Sequence, residues 1–456
     1  MAMTLRDKSV VVVGLGKSGL AAARLAIREG GRVTINDAKS ESELGPIVGE
    51  VRALGATLVL GGHPESLLGG ADLIVLSPGV PRLAAVEAAR AKFVRVVPEV
   101  ELASWSLRGT LLGITGSNGK STVTTLIGEM CAASGRPTFV GGNLGDALSN
   151  AAFSPAASDD GLVVAELSSF QLEEIESLRC AVALLLNVTD DHLDRHGSFA
   201  SYAGAKGRIF HPQQRSDHAL VPEGDELCLS LARAGAAHVH TFWGEKGEVR
   251  VENGVLIDSV SGLRLPVAEL KIRGLHNQSN ACAAALAARL VGVEREAIAR
   301  VLRSFVGLPH RMVHVRDLDR VTYYDDSKAT NVGATCAALD GLADLTGKVV
   351  LVAGGVHKGG SYAPMRERME KIGRAIVLIG EATPLIKKAF EGTSLTMIDA
   401  TTIDDAAQKA RALAKANDAV LLAPACASFD MFKGYAHRGD EFARAVRALP
   451  EAGGAS

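Results

Sequence analysis

The residues with the most direct chemical meaning lie in Gly113-Ile-Thr-Gly116-Ser117-Asn118-Gly119-Lys120-Ser121-Thr122. Small residues bare the backbone N–H groups, a lysine can meet the β- and γ-phosphates of a nucleotide, and a hydroxyl can hold Mg2+. The strict form of such a loop has glycine where this chain has Ile114, so the loop is a variant, and a structural turn is the alternative. A further turn, Gly14-Leu-Gly16-Lys-Ser18-Gly19, precedes an acid, Asp37, at the end of the next apolar run. That arrangement lets a diphosphate approach a helix N-terminus. NAD(P), another nucleotide and a packing role for the glycines all remain open for it. Two such turns imply two nucleotide-type ligands on separate domains.

Downstream, Glu166 closes the apolar run Leu162-Val-Val-Ala-Glu, where it can face a phosphate loop as a Mg2+ ligand or cap the strand in solvent. Asn187-Val-Thr-Asp190-Asp191-His192-Leu-Asp194-Arg-His196 gathers three Asp and two His, though some of these residues could cap a helix. No third His or Cys stands at a suitable spacing, which disfavours zinc. Tyr202 and Lys206 share a helix face at i, i+4; taken alone, they read as an exposed lysine beside an aromatic ring. In the last third, polar loops follow apolar runs at Asp325-Asp326-Ser327-Lys328-Ala-Thr330-Asn331, Gly354-Gly-Val-His-Lys358-Gly-Gly and Pro424-Ala-Cys-Ala-Ser428-Phe-Asp430. On a parallel sheet they would form one binding face; otherwise they are separate solvated loops.

The elements that must position these groups are short Val/Ile/Leu runs, each followed by a glycine turn and an alanine-rich stretch of helical spacing. This is the pattern of βα units. The clearest strands are Ser9–Val13, Arg32–Ile35, Leu73–Leu76, Leu111–Ile114, Leu162–Ala165, Val182–Leu186, Arg320–Tyr324, Val349–Val352, Ala375–Ile379 and Ala419–Leu422. Between Gly244 and Pro266 the pattern becomes that of an antiparallel hairpin. Breaks near Ser106–Thr110 and Val306–His310 divide the chain into domains 1–107, 108–307 and 308–456, as a length of 456 residues favours.

Composition narrows the function. Hydrophobic residues make up 47% and charged residues 22%, as in a folded globular protein. With 49 Lys and Arg against 51 Asp and Glu, no overall field exists for a nucleic-acid backbone or an anionic membrane, so anionic ligands must be met locally. The six cysteines form no CxxC or metal spacing, as expected of reduced cytosolic thiols. The N-terminus has no signal-peptide pattern, and no apolar run approaches the ~20 residues of a membrane span.

Together these segments resemble the Mur ligase family of peptidoglycan assembly over essentially the whole chain. GITGSNGKST looks like the family's ATP loop, Asn187–His196 its metal and substrate segment, Tyr202 to Phe210 its modified-lysine helix, and Leu275-His276-Asn277 to Asn280 its adenine-side segment. DDSKATN, the late string CASFDMFKGYAHRGDEF, and GLGKSGLAAARL with SPGVP are similar to the D-glutamate-adding branch. Sister ligases typically carry His-containing versions such as YAHTP or GAHNP in place of DDSKATN.

The resemblance implies a three-domain α/β fold: a Rossmann-like N-terminal domain for a UDP-sugar, a central P-loop-type ATPase domain with a mainly parallel sheet, and a Rossmann-like C-terminal domain for the incoming amino acid. It implies an ATP-dependent ligase that adds D-glutamate to UDP-N-acetylmuramoyl-L-alanine through an acyl phosphate. Lys120, His192, Lys206 and Lys328 are the implied catalytic residues. Gly116, Ser117, Asn118, Gly119, Lys120, Ser121, Thr122, Asn277, Asn280, Arg311 and Asp326 would bind ATP, Arg311 at a phosphate and Asp326 at the ribose. Ser18, Asp37, Ser77, Gly79 and Asn143 match UDP-sugar positions, and Lys328, Thr330, Lys358, Ser428 and Tyr435 fall at or beside the D-glutamate site. The family often has Phe where this chain has Tyr435. Two Mg2+ ions are implied on Ser121, Glu166, His192 and a carbamylated Lys206. The expected partners are these small molecules alone, with no nucleic acid and no membrane insertion, for a cytoplasmic monomer. Other readings are another Mur-family or folylpolyglutamate-type ligase, an NAD-dependent dehydrogenase, which accounts only for the first glycine turn, and a non-catalytic nucleotide-binding scaffold.

Overall fold

The computed structural model of the chain describes residues 4–272 and 274–451. The side chain of Asp194, one of the clustered acids, lies outside the described residues.

Apolar runs pair into three sheets. The first comprises β1 (Ser9–Val13), β2 (Arg32–Asp37), β3 (Thr57–Leu60), β4 (Leu73–Leu76) and β5 (Arg95–Pro98) in the order β3-β2-β1-β4-β5. All its pairs are parallel. Both faces are covered, and alternation along β1 shows it: Val10 and Val12 enter one apolar cluster, Val11 and Val13 the other. Strand order reverses between β1 and β4, which opens a crevice at their carboxyl ends.

The second sheet holds β6 (Thr110–Thr115), β7 (Thr138–Gly142), β8 (Leu162–Glu166), β9 (Val182–Leu185), β10 (His218–Pro222), β11 (His238–Phe242), β12 (Val249–Glu252), β13 (Val255–Asp258) and β14 (Arg264–Pro266). Its order is β14-β13-β12-β11-β10-β9-β6-β8-β7. Strands from β11 to β7 are parallel. β12, β13 and β14 form the antiparallel extension, one strand longer than the expected hairpin. Asn253 (φ 48°) and Gly254 (φ 73°) make its tight turn, in the left-handed conformation that this residue pair favours.

The third sheet contains β15 (Val313–Leu318), β16 (Val321–Asp325), β17 (Val349–Ala353), β18 (Gly373–Leu378), β19 (Thr396–Asp399) and β20 (Ala419–Leu422), in the order β15-β16-β20-β17-β18-β19. It is mixed, because β15 runs antiparallel to β16 while the remaining pairs are parallel. Its apolar clusters lie on both faces.

The chain packs as two compact units, one of Met1–Asn187, Ala203–Glu269 and Asn280–Arg303, the other of Val188–Tyr202, Leu270–Ser279 and Ser304–Ser456. Within the first unit, Glu101 ties the first two sheets' regions together. Its fully buried carboxylate accepts the Glu176 N–H (3.0 Å), the Ser177 and Leu178 N–H groups (2.9 Å each), the Trp105 indole N–H (3.0 Å) and the Ser177 hydroxyl. Burial opposes its charge, yet these donors, Ser177 foremost, hold the carboxyl below its ordinary range. Among the described residues no helix is long and apolar enough to cross a membrane.

Candidate functional site

At the first crevice, Gly14 (φ 94°) turns the chain from β1 into the helix Lys17–Arg28. Gly19 allows that helix to close on the turn, since a Cβ there would stand 1.9 Å from the Gly14 carbonyl oxygen. Asp37 Oδ2 accepts the Leu15 N–H at 2.6 Å, and Oδ1 accepts the Lys39 N–H at 2.9 Å. The neighbouring Asn36 is fully buried and spent on structure: its amide donates to the Val59 and Gly62 carbonyls at 2.9 and 2.7 Å, and its Oδ1 lies 2.6 Å from His63 Nδ1. Asp37 is therefore the acid at the glycine turn. Ser77, just past β4, donates its hydroxyl to the Gly14 carbonyl at 2.8 Å. Ser18 is half-buried in the first turn of the helix, and Gly79 is exposed in the loop after β4.

In the second sheet β6 continues through Thr115, which makes Ile114 a fully buried core residue and explains the departure from the strict spacing. The loop proper begins at Gly116 and ends at Gly119 (φ 85°), which precedes the helix Lys120–Ala133. A Cβ at Gly119 would meet Asn280 Oδ1 at 2.5 Å, so the loop and Asn280 are adjacent. Asn187, beyond β9, pins the loop: its Oδ1 accepts the Asn118 N–H (2.9 Å), its Nδ2 donates to the Asn118 carbonyl (3.1 Å), and its own carbonyl accepts the Ser117 N–H (3.0 Å). Lys120 Nζ donates to the Gly116 and Ser117 carbonyls at 2.7 and 2.9 Å. Ser121 and Thr122 are buried in the first helical turn.

Glu166 ends β8, paired in register with Ile114 on one side and Gly142 on the other. It is 3% exposed, so it is not a solvated cap. Oε1 accepts from Asn143 Nδ2 at 2.7 Å, whereas the buried Oε2 has no hydrogen-bond partner among the described residues. A buried carboxylate oxygen left without a donor is the environment a cation would complete. Lys206, on the helix Phe199–Gly207, is 1% exposed, and its Nζ donates to the Gly116 carbonyl at 2.8 Å. The exposed-lysine reading therefore fails, and Lys206 reaches the phosphate loop itself. Among the described residues no three His, Cys, Asp or Glu side chains stand so as to hold an ion. Mg2+ does not require such a cage, since it commonly takes one or two protein ligands and completes its shell with phosphate and water.

In the second unit the acid and imidazole segment meets DDSKATN. Asp191, 6% exposed, accepts from Asn331 Nδ2 at 2.9 Å and lies 3.6 Å from Lys358 Nζ. Its other contacts are the His192 N–H at 3.0 Å and His192 Nε2 at 3.7 Å. His192 holds a left-handed backbone (φ 54°) at the start of the helix Leu193–His196. Lys358 Nζ also lies 3.4 Å from Thr330 Oγ1. Lys328 Nζ sits 3.8 Å from the centre of the Tyr435 ring. That contact uses the ring face, so a Phe would serve equally and the Tyr435 departure is mild. Ser428 is buried, and Arg311 and Asn277 are half-buried. Burial pushes the Asp326 carboxyl up to about 7, with Arg311 opposing. Burial, aided by Arg311, pulls His276 below its ordinary range.

The three C-terminal loops converge through a residue that sequence reasoning did not single out. Arg438, 1% exposed, donates from Nε and NH2 to Ser327 Oγ and O at 3.0 Å and from NH1 and NH2 to the Cys426 carbonyl at 3.2 Å. NH1 also lies 3.4 Å from the Gly354 and Ala427 carbonyls. Burial lowers this guanidinium to about 10, which leaves it charged at neutral pH. Asn187, Asp191, His310 (Nδ1 2.7 Å from Asp325 Oδ2) and Asn331 were likewise missed as positioning residues. Each lies in or beside a quoted motif, but its partner is remote in sequence.

Family models match in three places: "Mur ligase MurD-like, N-terminal domain" over residues 8–98, "Mur ligase middle domain" over 114–288, and "Mur ligase, glutamate ligase domain" over 310–426. The chain is 45% identical over 461 residues to the UDP-N-acetylmuramoylalanine–D-glutamate ligase of Myxococcus xanthus, covering 98% of this chain and 100% of that one. It is 42% identical over 454 residues to the ligase of that name from Desulfosudis oleivorans, covering 98% and 97%. Among solved structures, a pseudomurein peptide ligase type C from Methanothermus fervidus superposes with a TM-score of 0.62 at 20% identity, covering 97% of this chain and 99% of that one. MurF from Acinetobacter baumannii gives 0.61 at 19%, covering 95% and 93%; both structures share the fold.

Proposed function

The chain belongs to the Mur ligase family, and from that premise we infer its reaction: it is an ATP-dependent ligase that adds D-glutamate to UDP-N-acetylmuramoyl-L-alanine in peptidoglycan synthesis. The full-length likeness to ligases of that activity carries the reading. The terminal L-alanyl carboxylate attacks the γ-phosphorus of ATP, forming an acyl phosphate and releasing ADP. The D-glutamate amine, having lost a proton from its ammonium form, attacks the acyl carbon, and the tetrahedral intermediate collapses as phosphate leaves.

Phosphoryl transfer of this kind asks for positioning and charge neutralisation rather than a covalent role for the protein. We assign the cradle to the Gly116–Thr122 loop, with Lys120 on the β/γ-phosphates. The loop's shape is held by Asn187. Asn280, close against Gly119, marks the adenine side together with Asn277, and Arg311 and Asp326 are assigned to the phosphate and ribose of the nucleotide. Mg2+ would supply charge neutralisation at the phosphates; Ser121 and Glu166 would hold one ion, and His192 is assigned to a second. A carbamylated Lys206 would be a further anionic ligand, and burial beside the phosphate loop supports that assignment. Lys328, Thr330, Lys358, Ser428 and Tyr435 are assigned to D-glutamate, whose carboxylates suit the two ammonium groups. Ser18, Asp37, Ser77, Gly79 and Asn143 are assigned to the UDP-sugar, Asn143 having in addition its contact with Glu166. Domains 1–107, 108–307 and 308–456 would then serve the UDP-sugar, ATP and amino acid respectively. The six buried, unpaired cysteines suit a reducing cytoplasm, and a monomer suffices for this residue set.

The test is a substrate panel. ADP and phosphate should appear only when UDP-N-acetylmuramoyl-L-alanine and D-glutamate are both present. Turnover with L-lysine or diaminopimelate in place of D-glutamate would overturn the amino-acid assignment.

A further inference from the structure

Two loops that carry residues assigned to the incoming amino acid run side by side. The segment after β17 brings Lys358, and the segment after β20 brings Ser428. Their backbones are laced together as far as Val356: the Gly354 N–H donates to the Pro424 carbonyl at 2.8 Å, and Val356 and Ala427 each donate an N–H to the other's carbonyl at 2.9 Å. Beyond Val356 the lacing stops. From His357 to Ser361 the chain makes no backbone–backbone hydrogen bond among the described residues, and Gly359 and Gly360 bring the conformational freedom of two glycines. Lys358 sits within this stretch, and its own side-chain contacts are long, 3.4 Å to Thr330 Oγ1 and 3.6 Å to Asp191.

A single phenol holds the stretch in place. Tyr362, at the start of the helix Ala363–Ile372, is buried. Its hydroxyl lies 2.9 Å from His357 Nδ1 and 3.2 Å from Sγ of the fully buried Cys426. A hydroxyl can donate to one neighbour while it accepts from the other, and a neutral imidazole and a thiol can each take either part. The three groups therefore close a chain in either proton order. Burial favours the neutral forms, since it raises the Tyr362 hydroxyl above its ordinary range and pushes the Cys426 thiol up to about 11. Tyr362 thus ties His357, the neighbour of Lys358, to Cys426, two residues before Ser428.

We infer that Tyr362 is a positioning residue for D-glutamate: by holding His357 against Cys426, its hydroxyl sets the separation of the Lys358 ammonium and the Ser428 hydroxyl before the amino acid arrives. The inference rests on the assignment of Lys358 and Ser428 to D-glutamate. Tyr362 acts through His357 and not by contact with the substrate. Without its hydroxyl, the substrate itself would have to order the stretch that carries Lys358, and ordering drawn from binding appears as weaker binding.

The test is steady-state kinetics of the full chain with each substrate varied in turn, beside melting curves. Tyr362→Phe keeps the ring and removes one hydroxyl. It should raise the KM for D-glutamate about 3–10-fold, as one lost hydrogen bond would, while kcat and the KM values for ATP and the UDP-sugar stay within about twofold. His357→Leu should match it, and Tyr362→Phe/His357→Leu should be no worse than either single variant, because all three break the same contact. His357→Asn, whose amide can stand in for Nδ1, should remain near the parent. A loss of packing alone would lower the melting temperature and kcat without singling out D-glutamate. An unchanged KM for D-glutamate in Tyr362→Phe, an equal rise for every substrate, or additive effects in the double variant overturns the positioning role. Lys358→Ala separates that role from the assignment beneath it, and should raise the KM for D-glutamate by about tenfold or more. A normal value there overturns the assignment of Lys358 and the inference with it, whereas a raised value beside an unchanged Tyr362→Phe overturns the positioning role alone.

Discussion

Glu166→Gln separates two properties of one carboxylate. Oε1 is held by Asn143, while Oε2 is buried without a donor among the described residues. A buried acceptor left unpartnered costs about 1–3 kcal/mol, and more when charged. Glutamine keeps the side-chain length and an acceptor toward Asn143 but removes the charge. If Oε2 exists to meet a cation, the metal-free variant should be more stable than the parent by about 1 kcal/mol, a rise of roughly 2–4 °C in melting temperature. D-Glutamate-dependent ADP release should fall by about 10²–10³. Scanning calorimetry in EDTA measures the first quantity, and a coupled ADP assay the second. In addition, Mg2+ with ATP should raise the melting temperature of the parent more than that of the variant. A variant that melts below the parent in EDTA and turns over within tenfold of it would refute the reasoning, since Oε2 would then serve the apo fold.

Lys206→Ala should abolish ADP release while leaving the far-ultraviolet circular dichroism intact, and labelled bicarbonate should give a carbamate carbon resonance in the parent that the variant lacks. Arg438→Lys, which cannot span the Ser327 and Cys426 carbonyls at once, should lower stability by about 3 kcal/mol and raise the KM for D-glutamate at least tenfold more than that for the UDP-sugar, as steady-state kinetics and melting together would show. Burial raises the Asp326 pKa from an ordinary 3.8 to about 7, so its ionisation opposes folding: the penalty is absent below about pH 4 and grows until pH passes 7. The stability gain of Asp326→Asn over the parent should therefore increase from pH 4 to 7.5, by up to ~4 kcal/mol, and parallel melting curves across that range would count against it. Glu101 has the opposite sign. Its lowered pKa stabilises the fold above the usual carboxylate range and is lost as pH falls through the folded value. Glu101→Ala should cost ~3 kcal/mol or more at pH 7 in denaturant melts, with the gap to the parent narrowing in acid.

Much of the architecture was legible because central parallel strands are buried on both faces and read as unbroken apolar runs: Ser9–Val13, Leu73–Leu76 and Ala419–Leu422 have the expected bounds. Several strands that escaped notice are half-exposed or polar, such as Thr57–Leu60 and Thr396–Asp399 at sheet edges and the histidine-bearing His238–Phe242, while the short Arg95–Pro98 and His218–Pro222 were passed over although mostly buried. The antiparallel edge Val313–Leu318 was also missed, since only its last residue, Leu318, is buried and the rest carry no core signal. The phosphate loop could be seen because its chemistry is local in sequence. The support beneath it could not, because Asn187 acts 69 residues away on Asn118, and Asn331 acts 140 residues away on Asp191. Nor could the burial of Lys206 be foreseen, since helical spacing shows which residues share a face but not what covers that face.

The Arg438 knot bears on how amino-acid choice could be altered in such a ligase. One guanidinium fastens the backbones of three loops whose side chains we assign to the incoming amino acid. Transplanting a single loop from a sister enzyme would leave carbonyls misaligned against a buried cation, so such a graft would damage folding before it could alter preference. Exchange of all three loops with the arginine-bearing helix as one cassette would keep the fastening whole. Selection on substrate choice would meet the same restriction, and would be expected to move these segments together or to work on side chains the knot leaves free.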